Sequence, residues 1–79
     1  MEKKEIMVKL QDIIRGAVDD DEVIISENTT AENVDGWDSL TQVLILGEIQ
    51  NELGVKFTST EISNYSNVGE LADAILSKL

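Results

Sequence analysis

The chain has 79 residues, with sixteen acidic and six basic side chains that give a formal net charge of -10, and it contains neither cysteine nor histidine. Without cysteine the chain can form neither a disulfide framework nor a thiolate nucleophile. Without histidine it lacks the usual general base and the commonest metal ligand. The excess of negative charge argues against nucleic acid and anionic membrane surfaces as partners, and it favours proteins that present lysine and arginine.

The length predicts a single domain over residues 1–79, because so short a chain builds one small hydrophobic core. Hydrophobic residues make up 42% of the sequence and recur at regular spacing, so we expect a folded chain. No apolar run approaches the ~18 residues of a membrane span or forms the core of a signal peptide. We therefore expect a cytoplasmic monomer that has no membrane partner.

The first predicted element is a helix from Lys3 to Ala17. Its apolar residues follow one another at steps of three and four, which places them on one face of a helix. The acidic run at residues 19–22 does not match a calcium-binding loop, because Val23 and Ile24 stand where such a loop needs oxygen ligands and glycine. The apolar face of the helix consists of Ile6, Met7, Leu10, Ile13, Ile14 and Ala17.

Residues 18–35 are predicted to form a long loop with at most one short helical turn. Thr29 and Glu32 have the spacing of a capping box, in which two side chains satisfy the free backbone groups at a helix start. The apolar segment 23–25 could instead pair as a short strand with residues 55–57, but two isolated segments of this length would pair only marginally. We keep the loop interpretation and expect residues 23–25 to cover the helix ends.

The second predicted helix has Asp38 as its N-cap, Ser39 as its first residue and Gly54 as its C-terminal stop. At about 100° per residue, its apolar residues gather on one side, which we expect to face the core. The expected buried residues are Val43, Leu46, Ile49 and Leu53, with Ile45 at the margin and Thr41, Glu48 and Glu52 on the opposite side.

Two further helices complete the predicted fold. The capping-box spacing of Thr58 and Glu61 predicts a short helix that carries Ile62 and ends before Tyr65. The sequence thus predicts an all-α fold: a small bundle of three main helices plus one short helix, with a long loop between the first and second. The final helix has Ser66 or Asn67 as its N-cap and Val68, Leu71, Ala72, Ile75 and Leu79 on its apolar face.

Ser39 has two interpretations. In the first, it merely follows the cap of the second helix. In the second, its hydroxyl points to solvent beside the unsatisfied backbone N–H groups of the helix start, where an attached anion would be stabilised. The tripeptide formed by Asp38, Ser39 and Leu40 leaves both open, because such tripeptides arise readily by chance.

The segment DGWDSLTQVLILGEIQNELGVKF, at the head of the second helix of an acidic helical chain, resembles acyl carrier proteins, and the similarity extends over essentially the whole chain. The resemblance implies that Ser39 carries 4′-phosphopantetheine through a phosphodiester, delivered from coenzyme A by a phosphopantetheinyl transferase. The thiol of that arm would hold acyl groups as thioesters for enzymes of fatty-acid, polyketide or related biosynthesis. The chain itself would not be an enzyme, because a serine hydroxyl needs a base for activation and histidine is missing.

Four residues are candidate partner contacts for acyl-transferring and acyl-modifying enzymes with basic or mixed apolar docking surfaces: Asp38, Leu40, Val43 and Leu44. The alternative is incidental exposure of one or two leucines, which is common. We interpret Trp37 as a plug for the long loop in preference to a ligand contact.

The resemblance also implies a space between the helices for the acyl chain, lined by residues such as Val43, Leu46 and Ile62. Many members of the family have a more acidic second helix than this chain, so a specialised pathway such as polyketide assembly is an option beside fatty-acid synthesis. The stretch DGWDSL lacks the glycine pair of peptidyl carriers, so acyl cargo is preferred to aminoacyl or peptidyl cargo. The acidic face is diluted by Leu44, Gly47, Gln50 and Asn51.

Two other classes of function are alternatives to a carrier: an interaction module and a small enzyme. An acidic interaction module without a cofactor would act by occupying a basic surface. A small enzyme with a carboxylate pair would need a water-excluding pocket that separates two pKa values, and a chain this short can hardly build one. Enzymatic addition of phosphopantetheine distinguishes the carrier from the interaction module.

Overall fold

A computed structural model of the chain describes residues 2–58 and 65–79. Over these residues the fold is all-helical and contains no strand, which confirms the predicted class. None of the helices in the two described ranges combines the length and the apolar character that crossing a bilayer requires. The short helix predicted after Thr58 lies outside the described residues. The elements are α1 (Lys3–Val18), a 3-10 turn (Ala31–Asn33), α2 (Ser39–Leu53) and α3 (Val68–Lys78).

Helix α1 forms the centre of the fold and packs against both α2 and α3. Glu2 and Glu5 form a capping box at its start, and Asp19 in the left-handed conformation ends it, one residue later than predicted. The predicted apolar face is buried at four of its six positions, and Met7 and Ala17 are half-buried at its edges. The buried residues of α1 are Ile6, Leu10, Ile13 and Ile14.

The turn in the long loop starts one residue later than the sequence predicts. Thr30, and not Thr29, is its N-cap, and Asn33 rather than Glu32 completes the capping box, with Asn33 Oδ1 accepting from the Thr30 backbone N–H at 2.9 Å. The reason is that the Thr29 hydroxyl is already engaged upstream, where it accepts from the Ser26 N–H at 2.8 Å.

The first half of the loop is held by side chains of α1. Gln11 Oε1 accepts from the Ile25 N–H at 3.1 Å, and Arg15 Nε donates to the Val23 carbonyl at 2.6 Å. Val23 and Ile25 pack against the core from outside it, as predicted, but the prediction is wrong for Ile24, which is 79% exposed because it lies between them and points the other way along the extended loop. These side-chain bonds occupy the backbone groups that a strand would have used.

The second half of the loop is joined to the start of α3 by backbone hydrogen bonds. The Val68 N–H donates to the Thr29 carbonyl at 2.8 Å, and the Gly69 N–H donates to the Glu27 carbonyl at 2.9 Å. Lys3 of α1 adds ion pairs to Glu27 and to Asp73, the latter at 2.8 Å. The hydrogen bonds to Asp73 and then Glu27 raise the pKa of the Lys3 ammonium, because both favour its charged form.

Helix α3 begins as predicted and buries most of the predicted face. Asn67 is the N-cap, and its Oδ1 accepts from the Glu70 N–H at 2.8 Å. Leu79 is the exception: it follows the last helical residue, Lys78, and its side chain is 53% exposed. The helix ends before Leu79 can reach the core. The buried apolar side chains are Val68, Leu71, Ala72 and Ile75.

Candidate functional site

Helix α2 begins at Ser39 with Asp38 as its N-cap, as the sequence predicts. The Asp38 carboxylate accepts from the Thr41 N–H at 2.9 Å, and the Asp38 carbonyl accepts from the Gln42 N–H at the same distance. The peptide groups of the first turn are thus fixed by the residue immediately before the serine. Ser39 stands at a rigid point of the backbone and is exposed.

The loop entering α2 is fixed from a second direction by Thr41, which is buried at 7% exposure. Its hydroxyl donates to the Gly36 carbonyl at 2.7 Å, so the buried hydroxyl has a partner. Gly36 itself has φ +86°, a left-handed conformation that an L side chain rarely adopts, and it packs near Val18. The turn before Ser39 therefore depends on a glycine and on a threonine that lies inside the helix.

The placement of Thr41 and Val43 corrects the prediction for α2. Thr41 was expected on the solvent side and is buried, whereas Val43 was expected in the core and is 62% exposed. Ile45, expected at the margin, is fully buried. The core face is thus rotated so that Ile45, Leu46 and Ile49 are buried, and the bond to Gly36 satisfies the Thr41 hydroxyl that this rotation takes out of water.

Trp37 lies between the loop and α2. It is half-buried against the core, and its indole N–H donates to Gln42 Oε1 at 2.6 Å. Trp37 thus has the loop-covering position that the sequence predicts. It also lines an open groove of about 330 Å³ that contains Ser39, together with Ala31, Asp38, Gln42 and Tyr65.

The Ser39 hydroxyl is free for chemistry. It forms no hydrogen bond with any residue in the described ranges, and Ser39 is the first residue of α2, at the N-terminal end of the helix. No side chain there is placed to take its proton. The arrangement suits a hydroxyl that is modified by an external catalyst and then bears an anion at a helix N-terminus.

An exposed apolar patch follows Ser39 on α2. It consists of Leu40, Val43 and Leu44, whose side chains are 71%, 62% and 53% exposed. Spacings of three and four residues make these side chains neighbours on the helix surface. Three of the four candidate partner contacts therefore form one continuous surface, and the fourth, Asp38, precedes it.

The expected lining of a space for the acyl chain is not found at its two described residues, neither of which borders the groove or the pocket near Ser39. Val43 points away from the core, and Leu46 is buried within it at 3% exposure. Ile62 lies outside the described residues. A small pocket of about 50 Å³ does adjoin the groove, sharing Trp37, Gln42 and Tyr65 with it. Such a volume is about a third of a cavity that holds benzene.

Two residues that shape the site, Thr41 and Gln42, were not predicted from the sequence to do so. Thr41 occupies the third position of the helix, where a capped N–H is expected, but its burial depends on a hydrogen bond to Gly36 that spacing alone does not indicate. Gln42 is an ordinary helix former, and only the contact with Trp37 reveals its role.

As the N-cap of α2, Asp38 is expected to stabilise the folded chain. The hydrogen bond from the Thr41 N–H holds the pKa of the Asp38 carboxyl below its usual value of 3.8. Asp38→Ala should lower the Tm by a few degrees through loss of the cap, whereas Asp38→Asn keeps a cap and should lower it less. Thermal unfolding followed by circular dichroism at neutral pH measures both, and equal loss in the two variants would argue against a capping role.

The same carboxylate predicts a pH dependence. Because the folded-state pKa is lowered, the stabilisation by Asp38 is fully present above the unfolded-state pKa and is lost as the pH falls through the folded-state value. The stability difference between the wild type and Asp38→Asn should therefore shrink in acid. The asparagine variant is the matched control, since its amide does not titrate in this range.

A family model described as a phosphopantetheine attachment site matches residues 8–75. The solution structure of a holo acyl carrier protein from Geobacter metallireducens is similar, with a TM-score of 0.84, 32% sequence identity, and coverage of 91% of this chain and 83% of that chain. No curated protein sequence matches significantly.

Proposed function

This chain belongs to the acyl carrier protein family and bears a covalently attached 4′-phosphopantetheine, and from that premise we propose that Ser39 is the attachment residue. The observation that carries the proposal is the exposed Ser39 hydroxyl at the start of α2, which is uncommitted among the described residues. The arm would deliver acyl groups to enzymes of fatty-acid, polyketide or related biosynthesis.

The residues around Ser39 fit a phosphodiester. The first-turn N–H groups of α2 and the positive end of the helix dipole favour an anion at this position. The negative charge of Asp38 is partly offset, because its carboxylate accepts the Thr41 N–H. The groove lined by Trp37, Gln42 and Tyr65 leaves space beside the hydroxyl. When attached, the prosthetic group supplies the thiol that this cysteine-free chain lacks.

We assign the chain the role of a substrate for other enzymes. A serine hydroxyl is a weak nucleophile without an adjacent base, and no described side chain hydrogen-bonds to Ser39. The phosphopantetheinyl transferase would therefore supply the base as well as coenzyme A. The part played by this chain is to present one hydroxyl at a fixed position.

The test is enzymatic loading of the full chain. Incubation with coenzyme A and a broad-specificity transferase should increase the intact mass by one phosphopantetheine unit. Fragmentation by tandem mass spectrometry should locate the increase on Ser39. No mass increase would favour the acidic interaction module, and an increase at another residue would remove Ser39 from the proposal.

Partner enzymes are proposed to contact Asp38 and the apolar patch of Leu40, Val43 and Leu44. The patch brings apolar area next to the attachment point, with the Asp38 carboxylate before it and the Glu48 carboxylate one helical turn after Leu44. Such a surface fits mixed apolar docking sites better than purely basic ones. Acyl cargo is preferred to aminoacyl or peptidyl cargo, since the similar solved structure is that of an acyl carrier.

This surface predicts how docking depends on salt. A carrier of a specialised pathway such as polyketide assembly should bind a fatty-acid synthase enzyme weakly even at low ionic strength, because few exposed charges lie beside Leu40. Surface plasmon resonance over a range of salt concentrations measures this. Tight binding that falls steeply with salt would instead assign the chain to fatty-acid synthesis.

The contribution of the apolar patch to partner binding can be separated from the general effect of adding one negative charge to the protein. Leu40→Asp should weaken binding to a cognate partner by about tenfold, because it places a charge within an apolar contact. Leu79→Asp is the control, since Leu79 is also an exposed leucine but follows the last residue of α3, away from the patch. Equal effects of the two variants would exclude a specific role for Leu40.

A further inference from the structure

The groove that contains Ser39 includes an amide group that a neighbouring side chain holds in one orientation. Trp37 donates its indole N–H to Gln42 Oε1 at 2.6 Å, and both side chains line the groove. We propose that Gln42 binds the pantetheine part of the prosthetic arm through its side-chain NH₂ group, and that Trp37 acts as a positioning residue for that group. The inference rests on the attachment proposed for Ser39 and adds the side of α2 on which the arm lies.

The bond to Trp37 fixes which end of the Gln42 amide is available to a ligand. An indole N–H can only donate, so the atom that meets it is the amide oxygen. The NH₂ group at the other end forms no hydrogen bond with the described residues, and the side chain is half-buried. Pantetheine has two amide carbonyls and a hydroxyl, each of which can accept from this donor.

Gln42 lies one helical turn after the attachment residue. Residues three apart on a helix surface are neighbours, with Cβ atoms about 5–6 Å apart. Trp37 precedes Ser39 by two residues in the loop that enters α2, and its bond to Gln42 brings the indole to the same side of the helix. A group attached to Ser39 is therefore a near neighbour of both side chains.

Two aromatic rings form apolar walls of the groove, and both are held by other side chains. Trp37 is held by its bond to Gln42, and the Tyr65 ring packs edge-on against Phe57, with ring centroids 6.1 Å apart at 82°. The Lys78 ammonium lies 5.5 Å from the Phe57 centroid and supports this pair from behind. Because the walls are in place before an arm is attached, little ordering is needed to bind it. The gem-dimethyl group of pantetheine is the apolar part that these rings would contact.

Two other positions for the arm fit its chemistry less well. The pocket behind the groove has a volume of about 50 Å³, smaller than the ~150 Å³ cavity that holds benzene, so the arm cannot lie inside it. The patch of Leu40, Val43 and Leu44 consists of exposed apolar side chains, which cannot pair with the amides of the arm. The groove combines apolar walls with a hydrogen-bond donor, and an arm lying in it leaves the patch uncovered.

Isotope-filtered NMR spectroscopy tests where the arm lies. The full chain is isotopically labelled, loaded from unlabelled coenzyme A, and compared with the same chain before loading. The side-chain NH₂ signals of Gln42 should shift on loading, and nuclear Overhauser effects should connect the gem-dimethyl protons of the arm to the rings of Trp37 and Tyr65. The single indole N–H signal should stay at its hydrogen-bonded position, since Trp37 is the only tryptophan and keeps its acceptor.

Matched variants separate the donor of Gln42 from its acceptor. In Gln42→Glu a carboxylate can still accept from the Trp37 indole but has no NH₂ group, so the Overhauser effects should fall about fivefold, as expected for one hydrogen bond. Gln50→Glu adds the same charge to α2 at an exposed glutamine outside the groove and should change nothing. Trp37→Phe keeps a ring but frees the amide to turn, so the shift of the Gln42 NH₂ signals on loading should be smaller. Circular dichroism verifies that the variants fold.

Three results on the loaded chain would overturn the proposal: Overhauser effects from the arm to Leu40 or Val43 in place of Trp37, unchanged NH₂ signals of Gln42, or equal losses in Gln42→Glu and Gln50→Glu. An undiminished shift in Trp37→Phe would remove the positioning role of Trp37. In each case the intact mass still shows the added unit, so the attachment proposed for Ser39 would stand. A chain that takes up no phosphopantetheine would overturn both proposals, and the mass spectrum distinguishes that result from the others.

Discussion

Replacement of Ser39 by alanine is expected to abolish loading with phosphopantetheine. Alanine lacks the oxygen that would form the phosphodiester. Ser39 is the first residue of α2, so its replacement leaves no hydroxyl at that position. Intact-mass spectrometry after incubation with coenzyme A and the transferase should show a complete shift for the wild type and none for Ser39→Ala. The expected effect is a total loss rather than a reduced rate.

A second serine provides the control for this loss. Ser66 is also exposed and also lies next to the start of a helix, but it precedes the N-cap of α3. Ser66→Ala should load as fully as the wild type. Ser39→Ala should keep its helical circular dichroism, because the hydroxyl forms no hydrogen bond with the described residues. Loading that persists in Ser39→Ala would show that the attachment residue lies elsewhere.

Replacement of Gly69 by alanine is expected to destabilise the fold by about 1–3 kcal/mol, the range typical of overpacking. A Cβ at this position would lie 2.8 Å from the Glu27 carbonyl oxygen and 2.9 Å from the Glu27 Cβ. Relief requires the loop to move away from α3, which would stretch the hydrogen bonds from Gly69 to Glu27 and from Val68 to Thr29. Urea denaturation measures the free energy of unfolding directly.

The glycine at position 47 is the matched control for Gly69. It is also within a helix, but nothing lies within 4 Å of its added Cβ. Gly47→Ala should therefore raise the free energy of unfolding, by up to ~1 kcal/mol from helix propensity alone. The two substitutions are chemically identical and should have opposite signs. A neutral or stabilising Gly69→Ala would mean that the loop and α3 separate at little cost.

The features that the sequence predicts correctly depend on residues close together in the chain. The start of α2 follows from Asp38 three residues before the N–H that it caps, and its end follows from Gly54 in the left-handed conformation. The buried face of α1 follows from apolar spacing, because most of its other residues are polar and Val8 is a lone exposed exception. Each of these signals is complete within one or two helical turns.

The orientation of α2 could not be read in the same way. This helix is apolar on more than one side, so Val43 and Ile45 are equally plausible core residues by spacing. The orientation depends on how α2 packs in the folded chain, where Ile45 is buried and the Thr41 hydroxyl finds an acceptor in the Gly36 carbonyl. Hydrophobicity ranks threonine as an outward residue, and the sequence contains no signal that its hydroxyl has a buried acceptor.

The contacts between the long loop and α3 also could not be predicted from the sequence. They are made by backbone groups of Glu27 and Thr29, whose side chains do not specify them, and by Gly69, which resembles any glycine near a helix start. The same holds for an open groove of about 380 Å³ between α1 and α2, which Gly16 and Leu44 line from the two helices. Long-range pairing of this kind needs the folded structure.

The position of Trp37 has a practical consequence for spectroscopy. It is the only tryptophan of the chain, its indole is bonded to Gln42, and it borders the groove that contains Ser39. Nearly all of the protein's tryptophan fluorescence will therefore arise from one side chain close to Ser39. The native protein carries its own fluorophore at that point, so its intensity can follow events there in real time without a dye.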